Sequence, residues 1–342
     1  MELAKSGSNT ASKRWTLIAM ILASGIVFLD GTVVNVALPS IDRELNAGLS
    51  GLQWIVDGYA LTLSAFLILG GAIGDQYGRR RTMLGGLAGF GIASAACGLV
   101  TGPEWLVLAR LVQGIAGAFL VPGSLAVITA VFNDNSEEQG KAIGTWAGWS
   151  GITTVIGPLL GGWLVDNLSW RWIFFINVPF VAVTFWLILS RVPETSDRKA
   201  GRKLDWMGAV LAVIGLGGTI FGLIEGPVAG WNQTGIVLAL VIGVLALIAF
   251  VIVEFRVPDP MMPPRLFRIR NFTGVNLATF GVYFALAGMS FFVTIYVQSI
   301  MGYPAFFAGL AFFPISVIML LFSSRAGRLA GKYGGRIFMT VG

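Results

Sequence analysis

The chain has no histidine, a single cysteine and little charge: Asp, Glu, Lys and Arg together make up 12% of its 342 residues. Each shortage excludes something. Without histidine there is no imidazole proton relay, no Ser-His-Asp machinery and little means of holding a transition metal. Cys97 alone excludes an internal disulfide and leaves the redox compartment unread; its simplest use is packing. The Gly-Lys pairs at Gly140-Lys141 and Gly331-Lys332 lack both the upstream glycine and the following hydroxyl of a P-loop, so no ATP-driven engine is visible. No nucleophile–base pair or metal cluster appears, which makes an enzyme the least supported class; neither a metal nor a cofactor is expected. A soluble domain carries about 25% charged residues, so this chain is too poor in charge to stay in water.

What the chain has is apolar length. It is 56% hydrophobic, with 46 glycines and 11 tryptophans, a composition suited to helices that pack closely in lipid and anchor at its surfaces. Ten runs approach the ~20 residues needed to span a bilayer: 15–38, 52–73, 82–101, 105–132, 141–165, 171–190, 205–224, 235–254, 272–298 and 305–325. The first is too long for the core of a signal peptide and more spans follow, so it reads as a retained helix. The runs are continuous rather than alternating, which excludes a barrel and predicts an all-α polytopic membrane protein of about ten to eleven helices. With the N-terminus inside, 20 of the 23 basic residues fall in inner segments and two, Arg43 and Arg171, in outer ones; only Arg110 lies within a span. That bias follows the positive-inside rule and suggests a bacterial inner membrane with a cytoplasmic N-terminus. The net charge of +6 then faces lipid headgroups, and no nucleic-acid partner is expected.

One motif occurs twice. "GAIGDQYGRRRTM" at 71–83 aligns with "GRLAGKYGGRIFM" at 327–339, matching Gly71, Tyr77, Gly78 and Arg80 to Gly327, Tyr333, Gly334 and Arg336. A membrane anchor needs only Lys and Arg in any order, whereas this repeated frame needs a defined turn, with Gly78 free to take φ > 0. Asp75 is expected to cap the next helix or to pair with an arginine across the loop, beside Arg79 and Arg80. In the second copy Gly331 replaces the aspartate.

Few charges lie at membrane depth. Arg110 shares a helix face with Gln113, Gly114 and Gly117, as a buried arginine facing a bundle interior would; the alternative is an arginine snorkelling to the outer interface. Asp30 lies well inside the first span, either as a working group or as a satisfied carboxylate tying helices together. Asp57, a turn into the second span, reads equally as interfacial. All three fall in the outer half, so they can meet, and Arg110 is expected to pair with Asp30 or Asp57. With histidine absent, proton coupling would rest on these carboxylates. Asn35 is about 140° round the helix from Asp30, so the two cannot both face one cavity, and Asn35 is itself a cavity candidate. Trp54, Tyr59, Gln113, Trp146, Trp149 and Phe284 are candidates for lining an apolar cavity, with packing or interfacial roles as the alternative. Gly144/Gly148 and Gly157/Gly161 form two small-xxx-small steps in the fifth span, and Pro158 removes a backbone hydrogen bond there. Glu225 reads as an outer loop and "RVPETSDRKAGRK" as a solvated inner linker.

These motifs resemble those of a known family. "GxxxDxxGRR" after the second helix resembles the signature loop of the major facilitator superfamily. "LVLARLVQGIAGA" (106–118) resembles its fourth-helix motif and "GITTVIGPLLGG" (151–162) its antiporter motif, the latter carrying Gly151, Gly157, Pro158, Gly161 and Gly162. "LDGTVVNVALPSI" (29–41) and "WRWIFFINVP" (170–179) are similar to segments of the drug:proton antiporters. The resemblance implies two six-helix halves facing a central cavity. The second signature loop follows the tenth span rather than the eighth, which places two extra helices between the halves and points to the fourteen-helix branch. It divides the chain into 1–195, a six-helix half; 196–260, a linker with two extra helices; and 261–342, the start of a second half whose remaining helices are expected to be missing. The implied function is proton-coupled export of small apolar or cationic compounds by alternating access, with the solute, protons and the lipid bilayer as partners and accessory export proteins unidentified. An importer or uniporter is the first alternative, and a membrane scaffold or sensor that has lost transport is the second.

Overall fold

The computed structural model describes residues 2–196, 205–258, 260, 262–314 and 317–318, with the side chains of 2–11, 151, 154 and 155 left aside. Among the described residues it is all-helical, with no strand. In chain order the helices are α1 (Glu2–Leu45), α2 (Gly48–Tyr77), α3 (Arg79–Leu99), α4 (Pro103–Gly117), α5 (Val121–Val131), α6 (Ser136–Asn167), α7 (Trp172–Phe175), α8 (Asn177–Arg191), α9 (Trp206–Ala229), α10 (Thr234–Arg256), α11 (Arg270–Ile295) and α12 (Ala305–Leu310). Short 3-10 and π turns flank α11 at Pro264–Arg268 and Tyr296–Ile300.

Eight of the ten expected spans are helices long and apolar enough to cross a membrane. The fifth, α6, has 32 residues and the length to cross. Its apolar run is diluted by Gly, Ser and Thr, and it lies between α1 and α12. Nine of the 21 residues of the tenth expected span, 305–325, and the whole second copy of the loop motif, 327–339, lie outside the described residues. The helices overrun their apolar runs: α1 extends from 15–38 to Glu2–Leu45, with Pro39 inside it. The expected span 105–132 is two helices. Residues 118–120 turn between α4 and α5, where Pro122 opens α5, and the backbone of α2 presses on the break: a Cβ on Gly70 would sit 2.5 Å from Ala118 O.

Local signals explain the other boundaries. Pro103 occupies the first turn of α4, where a missing N–H costs nothing. Asn135 caps α6 by accepting from Glu137 N (2.9 Å) and Glu138 N (3.3 Å). Asp205 caps α9 through Gly208 N at 2.7 Å. Gly78 turns α2 into α3 with φ 110°, a conformation that favours glycine.

Two apolar clusters form the core of α1–α8. One gathers Met20, Val27, Met83, Leu87, Phe90, Leu120, Ile128 and Ile188, toward the end that carries Arg79. The other gathers Val33, Leu38, Ile41, Ile55, Leu106, Ile173 and Phe174, toward the end that carries Glu44. At that end Arg171 pairs with Glu44, which also accepts from Trp170 Nε1 at 2.6 Å.

α9 and α10 form a hairpin with a glycine seam, in which a Cβ on Gly215 would meet Leu247 at 2.7 Å and one on Gly218 would meet Ala239 O at 2.7 Å. The hairpin docks on α2. Glu225, expected in a loop, lies inside α9 because that helix runs on to Ala229; it accepts from Ser50 Oγ (2.6 Å) and Trp54 Nε1 (2.8 Å). The outer flank of α10, including Leu238, Val241, Ile242, Leu245 and Ile248, is exposed and apolar, a surface made for lipid.

Glycine positions here divide sharply. A Cβ on Gly114 would collide with Thr62 Oγ1 and Tyr59 O across the α2–α4 contact, whereas one on Gly144 meets nothing within 4 Å among the described residues. Gly114→Ala should therefore lower stability by about 1–3 kcal/mol, while Gly144→Ala should be neutral or slightly stabilising through helix propensity. Thermal unfolding of the detergent-purified variants measures both.

Candidate functional site: a buried polar layer

Between the two apolar clusters lies a layer of polar side chains. Each helix that supplies it passes from one cluster to the other at that level: α1 between Val27 and Val33, α3 between Phe90 and Cys97, α4 between Leu106 and Ala116, and the α7–α8 segment between Phe174 and Val181. Asp30, Ser94, Arg110, Gln113 and Asn177 occupy those crossing points, none more than 1% exposed.

Asp30 is the acceptor at the centre. Its Oδ2 pairs with Arg110 Nη1. Its Oδ1 accepts from Gln113 Nε2 (2.9 Å) and Asn177 Nδ2 (2.8 Å). Arg110 spends further donors on Gln113 Oε1 (2.8 Å) and Ile55 O (3.1 Å). Its guanidinium lies 4.0 Å from the centre of the Tyr59 ring and 5.8 Å from that of Phe174, which stacks the cation between aromatic faces. Tyr59 is itself fixed by donating to Val27 O at 3.1 Å. Cys97 Sγ lies 3.6 Å from Gln113 Oε1, so the lone cysteine borders the layer as well as packing.

The expected pairing of Arg110 is thus with Asp30, and neither snorkelling nor Asp57 competes. Asp57 is half-buried and has no hydrogen-bond or ion-pair partner among the described residues. Helix geometry accounts for this. Ser50, Trp54 and Leu61 face α9, and Asp57 lies on that stripe, about 200° round α2 from Tyr59. Asn35 makes a long 3.5 Å contact to Gly31 O, one turn back on its own helix.

The cavity candidates scatter. Tyr59 and Gln113 belong to the polar layer, not to a cavity wall. Trp54 is held by Glu225 and lies 6.1 Å from Phe221, centroid to centroid. Trp146 packs on the core cluster and its buried indole N–H has no partner among the described residues. Trp149 and Phe284 are exposed, at 49% and 73%.

In the loop motif Asp75 takes the second of its two expected roles, pairing with an arginine. Asp75 does not cap α3; Arg79 takes it instead, Nε to Oδ1 at 2.7 Å, and donates to Ala126 O at 3.1 Å. The first amides of α3 go to the segment after α8: Arg80 N to Glu194 Oε1 (3.0 Å) and Arg79 N to Thr195 O (2.9 Å). Glu194 therefore serves as the cap, and this part of the expected solvated linker is built into the fold. Gly71 rests 3.4 Å from Pro122, measured from its would-be Cβ. In α6, which contains Gly151 and continues through Pro158, Gly157 and Gly161 seat against Thr32, Val33 and Val36 of α1. Gly162 meets Phe306, and Pro158 O meets Gly309, both on α12. Gly144 and Gly148 make no such contact among the described residues, so only the second glycine step packs closely. Asp166, unremarked in the sequence, receives Ala305 N (3.0 Å) and Phe306 N (2.8 Å) of α12. Asn177 and Ser94 were missed too; the signal for Asn177 was an amide just before Pro179 in an otherwise apolar run.

A family profile described as Major Facilitator Superfamily matches residues 20–342. The chain is 36% identical over 327 residues to the multidrug resistance protein Stp of Mycobacterium tuberculosis, covering 96% of this chain and 60% of Stp. It is 39% identical over 316 residues to the puromycin resistance protein pur8 of Streptomyces alboniger, covering 91% and 61%. The chain thus spans about three fifths of the length of these curated relatives. Among solved structures, a peptide transporter POT superposes with a TM-score of 0.66 at 12% identity, covering 94% of this chain and 69% of that one, a likeness of fold.

Cutting the central pair leaves a buried carboxylate with neutral donors only. Arg110→Leu should destabilise the protein by about 3–5 kcal/mol, and adding Asp30→Leu should restore part of that loss because the unpaired charge is gone. Chemical denaturation of the two single variants and the double variant measures the coupling.

Proposed function

The chain belongs to the Major Facilitator Superfamily, and from that premise we propose that it is a proton-coupled antiporter that exports small apolar or cationic compounds. The relatives bearing resistance names support export. The one observation that carries proton coupling is the carboxylate of Asp30, held at 0% exposure against the single arginine at membrane depth. In a chain without histidine, a carboxylate is the group left to carry a proton through the bilayer. One charge crossing ~100 mV is worth ~2.3 kcal/mol, and a pH unit adds ~1.36 kcal/mol. One proton per neutral solute then supports a gradient of about a few hundred-fold.

In this reading the N-terminus is cytoplasmic, the membrane is the bacterial inner membrane, and residues 1–195 form one half of the carrier. Residues 196–260 carry the extra hairpin and 261–342 begin the second half. The α6–α12 contact at Asp166, Gly162 and Gly309 closes the outer side, while the Asp75–Arg79 turn lies inside as the gating loop. Outer-side protonation of Asp30 weakens its grip on Arg110, lets the helices around the layer shift, and returns the proton inward as solute leaves. Asp57 on the α9 face is a second carboxylate available to that cycle. Neither a cofactor nor a metal enters it, and the solute, protons and the bilayer are its partners.

The test is transport by the complete protein in vesicles with an imposed pH gradient. Asp30→Asn should abolish uphill export yet retain downhill exchange, because an amide cannot carry the proton while its one oxygen still accepts from the layer's donors. Accumulation against a gradient by Asp30→Asn would put the proton site elsewhere. Asp75→Asn should slow transport several-fold with membrane insertion unchanged, since it loosens the Arg79 clamp without altering the basic cluster.

A further inference from the structure

Asn177 plays no part in that cycle as stated, yet it touches the central carboxylate. Its Nδ2 donates to Asp30 Oδ1 at 2.8 Å and to Ser94 Oγ at 3.0 Å. Ser94 spends its own proton on Phe174 O at 2.8 Å, so it offers the amide only lone pairs. Both contacts fix the amide with its nitrogen toward Asp30. The consequence is an anomaly: Asn177 Oδ1, in a side chain with 0% exposure, has no hydrogen-bond partner among the described residues. A buried amide oxygen left without a donor is costly.

The anomaly follows from charge. Every polar neighbour of Asp30 presents an N–H to it: Arg110 and Gln113 from α4, and Asn177 from α8. That set suits an ionised carboxylate and offers nothing to an acid proton. Gln113 Oε1 is already occupied by Arg110 Nη1 and faces Cys97 Sγ. Among the described residues of the layer, the unspent acceptor is Asn177 Oδ1. The titratable and charged groups facing Asp30 are Arg110 from α4, Tyr59 from α2 and Cys97 from α3, and α8 adds none.

We propose that Asn177 is a positioning residue that follows the protonation of Asp30 by turning its amide. The proton enters from water and bonds to Asp30 Oδ1, while Arg110 stays protonated. A half-turn about the terminal torsion, which is soft for asparagine, brings Oδ1 to where Nδ2 now lies, within hydrogen-bond distance of the acid. Ser94 then swings its hydroxyl from Phe174 O to the amide oxygen. Release of the proton reverses both movements. Because Phe174 stacks on Arg110 and its carbonyl is freed in this step, the turn links the charge on Asp30 to the α7–α8 junction.

The inference rests on the reading of Asp30 as the coupling site, and its test is separate from transport. In the purified complete protein, infrared spectroscopy follows the carbonyl band of protonated Asp30, identified by its loss in Asp30→Asn. Asn177→Leu removes a charge-assisted bond from the carboxylate and an ordinary bond from the acid. The band should move to higher frequency, because the acid loses the amide oxygen that accepts from it. Ser94→Ala, which touches the amide and Phe174 O but not Asp30, should move the band by less, with folding intact. If Asn177→Leu does not fold, Ser94→Ala decides. An unchanged band position in the folded variants, or no Asp30 band at any pH the protein withstands, overturns the proposal. Uphill export by Asp30→Asn would instead defeat the coupling reading and leave this measurement standing.

Discussion

The structure of α1–α8 turns on the attraction between one carboxylate and one guanidinium placed where water does not reach. Taking two ions from water costs several kcal/mol each, and mutual attraction repays that only with good geometry and satisfied remaining donors. The layer supplies both. Gln113 bonds to each ion, Asn177 covers the second carboxylate oxygen, and Ile55 O takes the guanidinium Nε. Tyr59 and Phe174 cover the cation with ring faces. The apolar clusters on either side seal the layer and are themselves kept apart by it. A helix that slips by one turn would push apolar residues into the polar level and polar ones into the core, so the layer also sets the register of the bundle.

Glycine makes this possible. α2 and α4 approach so closely at Gly114 that a methyl group has no room, and that proximity lets Arg110 reach the backbone of α2. Lipid offers no hydrophobic drive between helices, so close backbone contact and shared polar groups carry the association. Here the two occur together on one face of α4.

Much of this was legible in the sequence. Apolar run length marked the spans, and 3.6-residue periodicity put Arg110, Gln113, Gly114 and Gly117 on one face, as found. The same periodicity, carried one step further, separates Asp57 from Tyr59 on α2 and would have removed Asp57 as a partner for Arg110. Other features were out of reach. Hydropathy loses a helix end where polar residues begin, so α9 seemed to stop before Glu225 although its backbone bonding continues. Glu194 sits in a charged stretch whose composition suggests solvent, and only the approach of α3 gives it amides to bind. Asn177 and Ser94 are 83 positions apart, and no local pattern announces that they meet.

The bond between the end of α8 and the start of α3 has a mechanical meaning. Glu194 and Thr195 hold the first amides of α3, and Arg80 reaches back to Leu189 O at 2.6 Å. The last strand of backbone leaving this bundle is thereby buckled to its most sharply bent corner, at Gly78. A load that arrives at Thr195 is therefore passed to the Gly78 corner and to the Asp75–Arg79 pair beside it.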